Sequence, residues 1–379
     1  MSLYLDYNAS TPVDGRVLDT MIDAYKCFYG NPDSRTHDHG TNARKEVEMA
    51  RGQVALLLGV ASNEVIFTSG ATESDNLAIL GLTDHGIRTN KKHIITTAIE
   101  HKAVLEPFKQ FMKHGFEIEF ISPDESGRID EQKLLSKVRS DTLLVSVMHA
   151  NNETGIIQPV QEIGKALWDT DTYFHIDAAQ SCGKLVDELK STKYDLLSLT
   201  AHKMYGPQGI GALILRTKKY KKPPIKPILF GGGQEGNIRP GTLPVALIIG
   251  LGKTCEIAEQ EHTENLEAYR TTKKHIMDAI TSSGVEFEIN GDPQHCMPNA
   301  LNISFLGVDS EALMIATKQY CSISNGSACT SKDYSHSHVL TAMGLSDERI
   351  ESAIRMSWGK GTYDLSIFGK LTDKIKELV

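Results

Sequence analysis

Six cysteines are spread over the 379-residue chain, at 27, 182, 255, 296, 321 and 329, with no CxxC pair and no zinc-type spacing. That pattern excludes a disulfide framework or a zinc ribbon and reads as reduced thiols. Long apolar runs are missing too: Val54–Leu58 and Leu243–Leu251 are far too short to cross a bilayer. The first fifteen residues have neither a basic nor an apolar signal region, so a cytoplasmic protein is expected. Basic charge is in deficit, with 40 Lys and Arg against 48 Asp and Glu and a net charge of −8, which argues against direct nucleic-acid binding. The six basic residues between Arg216 and Lys226, broken by Pro223 and Pro224, read as a solvated loop. No GxGxxG follows a strand, so the dinucleotide fingerprint is lacking. Gly250-Leu-Gly-Lys-Thr254 resembles the end of a P-loop, but the earlier glycine that motif needs is Leu247. The pairs His37/His39 and His336/His338 lack further ligands at metal spacing, and no metal is expected.

What is present is an ordinary globular composition, 40% hydrophobic and 23% charged, in a chain long enough for two domains. Seven β-rich runs occupy Val65–Ser69, His93–Thr97, Glu117–Ser122, Leu143–His149, Tyr173–Ala178, Asp195–Thr200 and Gly211–Arg216. Segments of helical spacing lie between most of them, including Ala43–Leu58, Ser74–Leu82, Lys102–His114, Ile129–Val138 and Pro159–Trp168. Alternation of this kind predicts an α/β protein with a largely parallel, buried sheet. Beyond the glycine-rich stretch at 230–244, a long amphipathic helix is expected over Leu247–Ser283. Strands follow near Ala300–Phe305 and Cys321–Ser324, then a helix over Asp347–Met356. A domain boundary is expected near residue 254, with a smaller α+β domain after it.

Ligands of parallel sheets sit at the carboxyl ends of strands, so the residues there carry the functional argument. The first run ends in Thr68-Ser-Gly-Ala-Thr-Glu73, which opens a helix with free N–H groups and a Thr hydroxyl, either an anion cradle or a plain capped helix start. Later strand ends present Glu100-His101, then Asn151-Asn-Glu153, then Asp177 and Gln180, then Thr200-Ala-His-Lys203. Pyridoxal phosphate needs this set: a lysine for its Schiff base, an acid for the pyridine nitrogen and a phosphate cup.

The blocks Tyr4-Leu-Asp-Tyr-Asn-Ala-Ser-Thr-Pro12, Thr68-Ser-Gly-Ala-Thr-Glu-Ser-Asp-Asn76, Val147-Met-His-Ala-Asn-Asn-Glu153, His202-Lys-Met-Tyr-Gly-Pro207 and Gly326-Ser-Ala-Cys-Thr-Ser331 resemble the class V aminotransferase family. Within it they resemble cysteine desulfurases of the bacterial IscS/NifS type, and the related desulfurases of DNA phosphorothioation systems. The resemblance runs from about Tyr4 to about Lys360. It implies a fold-type I homodimer with pyridoxal phosphate, a large domain at 14–254, and a small domain formed by 1–13 and 255–379. Lys203 matches the Schiff-base lysine, Asp177 the pyridinium partner, and His101 the stacking, acid–base histidine. Asn152 and Gln180 match ring-contacting amides. Thr72, Thr200 and His202 match phosphate ligands, with Ala71 donating through its backbone. Thr242 matches a phosphate contact supplied by the neighbouring subunit. Arg355, with Asn152, matches the substrate-carboxylate site, and Cys329 the sulfur-accepting nucleophile on a mobile loop.

The implied activity converts L-cysteine to L-alanine, leaving a persulfide on Cys329 for an acceptor protein. Candidate destinations are iron–sulfur assembly, tRNA thiolation and DNA phosphorothioation. The chain ends at Val379 without the extension by which some members dock a scaffold, which leans toward a dedicated acceptor. Two other readings stay open: a pyridoxal-phosphate aminotransferase or lyase acting on another amino acid, and a non-catalytic scaffold subunit.

Overall fold

The computed structural model describes residues 2–325, 336–361, 363–364 and 366–378. Twelve strands occur among these, β1 Leu3–Tyr4, β2 Val65–Thr68, β3 His93–Thr97, β4 Glu117–Ile121, β5 Thr142–Met148, β6 Tyr173–Asp177, β7 Leu196–Thr200, β8 Gly211–Leu215, β9 Glu288–Ile289, β10 Ala300–Ser304, β11 Cys321–Ser322 and β12 Ala353–Ser357. The seven expected runs form one sheet in the order β2-β8-β7-β6-β5-β3-β4. Only β8 runs against its neighbours, so the sheet is mostly parallel, as expected.

Both faces of that sheet are covered, which explains why its strands are apolar throughout. Side chains alternate between the faces. Val145 and Val147 of β5 and Leu197 and Leu199 of β7 join a core under the helices Asp38–Leu58 and Val160–Leu167. Leu144 and Leu196 point to the opposite core, shared with the helices Ala71–Leu80 and Lys102–Lys113. All six parallel strands therefore end at one edge, where the loops carry the polar residues.

The long helix is continuous from Val245 to Ser283 and crosses the expected boundary at 254 without a break. Its first half, through Ala258, packs in the main sheet's core. Its second half, with Tyr269, Ile276 and Ile280, packs against β10, β12 and the helix Ser366–Leu378. The Gly250-Leu-Gly-Lys-Thr254 sequence has a packing role here. A Cβ on Gly252 would come within 2.7 Å of the Ala50 Cα, and one on Gly250 within 2.7 Å of the Met21 sulfur. The two glycines let helices cross closely.

One expectation is corrected. The segment foreseen as a helix over Asp347–Met356 is helical only to Glu351, and Ala353–Ser357 is strand β12. Its five residues pair antiparallel with all of β10, Arg355 opposite Asn302, and every one is buried. Long-range pairing decided this short apolar run, which periodicity alone could not. The N-terminus joins the same region. Leu3 pairs with Cys321, and Asp6 forms a bridge with Ser357.

Candidate active site

A cavity of about 460 Å³ opens at the carboxyl edge of the large sheet. Ten sequence-predicted residues line it together: Ala71, Thr72, His101, Asn152, Asp177, Gln180, Thr200, His202, Lys203 and Arg355. Thr242 lies elsewhere, in a separate hollow beside Tyr25, Phe28 and Tyr29. Cys329 lies outside the described residues.

The floor of the cavity is a helix start. Gly70, with φ of 152°, turns the chain from β2 into the helix Ala71–Leu80, and among the described residues no side chain caps that end. This φ strains any residue with a Cβ. The Thr68 hydroxyl is tied to the Ser74 hydroxyl at 2.8 Å, fixing the turn from behind. The first N–H groups of the helix thus face an anion site with its dipole aligned. Thr200 closes the cradle, since a Cβ on Gly70 would lie 3.5 Å from its hydroxyl oxygen.

Asp177 is the last residue of β6, and its Oδ1 accepts the Ala179 N–H at 2.9 Å. Behind it lies a layer held neutral. Burial pushes His175 down to about 3, and its ring nitrogens sit 2.9 Å from the Ser146 hydroxyl and 3.0 Å from the Ser198 hydroxyl. Burial and the neighbouring Asp177 raise the Asp75 carboxyl well above the usual range. Asp75 also lines the cavity, although sequence reasoning gave it no role.

His101 caps the helix Lys102–Lys113, accepting the Ala103 N–H on Nδ1 at 3.1 Å. The neutral ring therefore carries its proton on Nε2. Burial holds its pKa below the ordinary value even with Asp177 near. His202 is lowered to about 4, by burial first and by Lys203 and Lys184 next. Lys203 ends a single helical turn after β7, and the buried Lys184, whose pKa burial lowers to about 7, donates through Nζ to its carbonyl at 2.9 Å and to that of Gln180 at 2.8 Å. Gln180 donates through Nε2 to the Asn8 carbonyl at 2.9 Å, while its Oε1 is buried without a partner among the described residues.

The other side of the cavity is built by the N-terminal segment and β12. Asn8, Ala9 and Ser10 line it, Ser10 through a hydroxyl 3.3 Å from His202 Nδ1. Arg355 donates to Asp6 Oδ1 at 2.6 Å and to the Asn152 carbonyl at 3.0 Å. Asn152 thus takes part through its backbone, whereas its neighbour Asn151 is structural, accepting the Glu153 and Thr154 N–H groups. Asp6, Asn8, Ser10, Asp75 and Lys184 were missed as site residues. The Tyr4–Pro12 block held a signal for three of them, because it matched the family without any role attached.

Residues 3–360 match the model of the family Aminotransferase class-V. The chain belongs to the class-V aminotransferases. Among curated members it is 42% identical, over 99% of its own length and 94% of the relative's, to the Cysteine desulfurase IscS of Anaeromyxobacter dehalogenans. Among solved structures it resembles a NifS-like protein, with a TM-score of 0.89, 36% identity and coverage of 100% of this chain and 99% of that one. It also resembles SspA in complex with cysteine, with a TM-score of 0.82, 35% identity and coverage of 96% and 100%. The fold is the fold-type I architecture of pyridoxal-phosphate enzymes. That class-V cofactor suits the donor set: a helix-start cradle with a glycine at positive φ, a carboxylate, a lysine, and a buried amide oxygen on Gln180 with no partner among the described residues.

Proposed function

We propose that this class-V aminotransferase is a cysteine desulfurase that uses pyridoxal 5'-phosphate to convert L-cysteine to L-alanine and leaves a persulfide on Cys329. The observation that carries the reading is the convergence of Lys203, Asp177, His101 and Arg355 on one cavity with a phosphate-type cradle. Full-length identity to relatives named cysteine desulfurase supports the substrate, as does a structural neighbour solved with cysteine. The bound cofactor supplies an electron sink for the electrons of the substrate's Cα–H bond.

The chain's own residues do the rest. Ala71, Thr72, Thr200 and His202 hold the phosphate, with Thr242 reaching the second subunit's site. Asp177 would hold the proton on the ring nitrogen, and His101 would pack beside the ring. Lys203 Nζ takes the substrate's Cα proton, and His101 Nε2 is the second exchangeable proton position. Arg355 binds the substrate carboxylate through its planar guanidinium. The Cys329 thiolate then takes the substrate sulfur. Overall, cysteine plus enzyme thiol gives alanine plus enzyme persulfide, with atoms and electrons balanced. A thiol of the acceptor protein regenerates Cys329.

The buried cysteines suit this task poorly. A thiolate is the reactive form, and burial pushes Cys182 up to about 12 and Cys255 well above its usual value. We also read the protein as a homodimer. Leu18, Ile22 and Tyr25 form an exposed apolar stripe on the helix Gly15–Cys27, close to the hollow that contains Thr242. We assign 14–254 to a large cofactor-binding domain and 1–13 with 255–379 to a small one, the helix Val245–Ser283 running through both. No helix among the described residues is long and apolar enough to cross a membrane, and a cytoplasmic location fits the reduced cysteines.

The test measures alanine and sulfide from L-cysteine with a reductant present. Wild type should turn over, while Lys203→Ala and Cys329→Ser should not, with Cys329→Ser still yellow with cofactor. Alanine release that survives Cys329→Ser would remove the persulfide step and favour a lyase on the same scaffold.

A further inference from the structure

Arg355 is engaged by groups of the protein itself. Its side chain is 4% exposed, and Nη2 donates to the Asp6 carboxylate at 2.6 Å. Nη1 is used by the Asn152 carbonyl, and the buried Nε has no partner among the described residues. Asp6 is no wandering surface acid. Ser357 donates its N–H to the Leu5 carbonyl at 2.8 Å, and Tyr7 donates back to the Ser357 carbonyl at 3.3 Å. The Ala9 N–H closes a turn on the Asp6 carbonyl at 3.0 Å. Backbone on both sides therefore holds one carboxylate of the protein against the guanidinium, two residues along β12 from the bridge partner Ser357.

We propose that Asp6 is a specificity-setting residue whose carboxylate competes with the substrate's carboxylate for Arg355, loosening the binding of cysteine and of the alanine product. This rests on the reading of Arg355 as the carboxylate clamp. A guanidinium already neutralised by one acid attracts a second far less than a free one does, and two acids on one cation repel each other. The second hydrogens of Nη1 and Nη2 are the donors left for the incoming group, because Nε is buried. The arrangement lowers ground-state affinity, which favours product release, and it penalises ligands that bring additional negative charge.

A merely structural Asp6, one that only aims Arg355, predicts the opposite sign, because losing it would weaken binding. L-Alanine binding to the cofactor-loaded enzyme, followed by calorimetry, separates the two. Asp6→Asn keeps the shape and one acceptor oxygen but removes the charge, and Asp6→Ser serves if that variant folds poorly. We expect alanine to bind about fivefold more tightly to either variant, with binding of ethylamine, which lacks the carboxylate, unchanged. Equal or weaker alanine binding overturns the competition. An Arg355→Ala protein that binds alanine like wild type would instead overturn the clamp reading itself, whatever the Asp6 variants do.

Discussion

The two sides of the cavity are made differently. One side is a row of strand ends and the turns after them, from Thr68 to Lys203, each delivered by the same parallel sheet and backed by buried, neutral groups such as His175. The other side is assembled from the two ends of the chain, and its central contact, Asp6 with Arg355, joins residues 349 positions apart. The first side offers fixed donors and charges suited to a resident group. The second offers a cation shared between a protein acid and a small carboxylate, suited to a ligand that must come and go. Holding the cofactor and exchanging the substrate are thus separated onto different parts of the architecture.

That division can be broken in order of severity. Lys203→Ala should cost at least about 10³-fold in alanine formation. The fold should survive by circular dichroism, because Lys184 grips the Lys203 carbonyl, not its side chain. Arg355→Ala should raise KM for cysteine about 100-fold with a smaller change in kcat, while cofactor affinity by fluorescence titration stays near wild type. A large loss of cofactor binding in that variant would merge the two sides into one unit. Gly70→Ala should act the other way, weakening cofactor affinity about tenfold while leaving KM at saturating cofactor little changed. The cause is backbone strain of about 1–3 kcal/mol at φ of 152° and not lack of space, because the nearest atom would be an ordinary 3.5 Å away.

The smallest effect concerns the neutral layer. Glu100 is fully buried, and burial pushes its carboxyl up to about 8. The folded state keeps a proton that the unfolded chain gives up near the ordinary value of about 4.3. Its contribution to stability is therefore complete at low pH, declines as pH rises from about 4.3, and is gone above about 8. Glu100→Gln, which can still accept the Met148 N–H through Oε1, should remove that decline from urea denaturation curves taken across the window.

The strand-end side was legible in the sequence because a parallel sheet makes position along the chain nearly equivalent to position along an edge. A polar residue after each apolar run, Asp177 or Lys203 for instance, can be placed at the site from the sequence alone. The other side gave no such local signal. Only family resemblance points to Arg355, and its segment reads as helix because five buried residues of a strand look like part of an apolar helix face. Asp75 and Lys184 were missed for a related reason. Nothing local distinguishes a buried acid behind a site, or a lysine spanning two carbonyls, from the charged residues of a solvated helix.

The pairing of the first residues with the last has a consequence for how the protein comes into being. During synthesis all strands of the main sheet and the helix start at Ala71 have emerged once β8 has, while Leu3 and Asp6 still wait for Cys321, Arg355 and Ser357. The nascent chain therefore carries the helix-start end of its cofactor site well before it has the cation that would clamp an amino-acid carboxylate, and substrate recognition is among the last features to form.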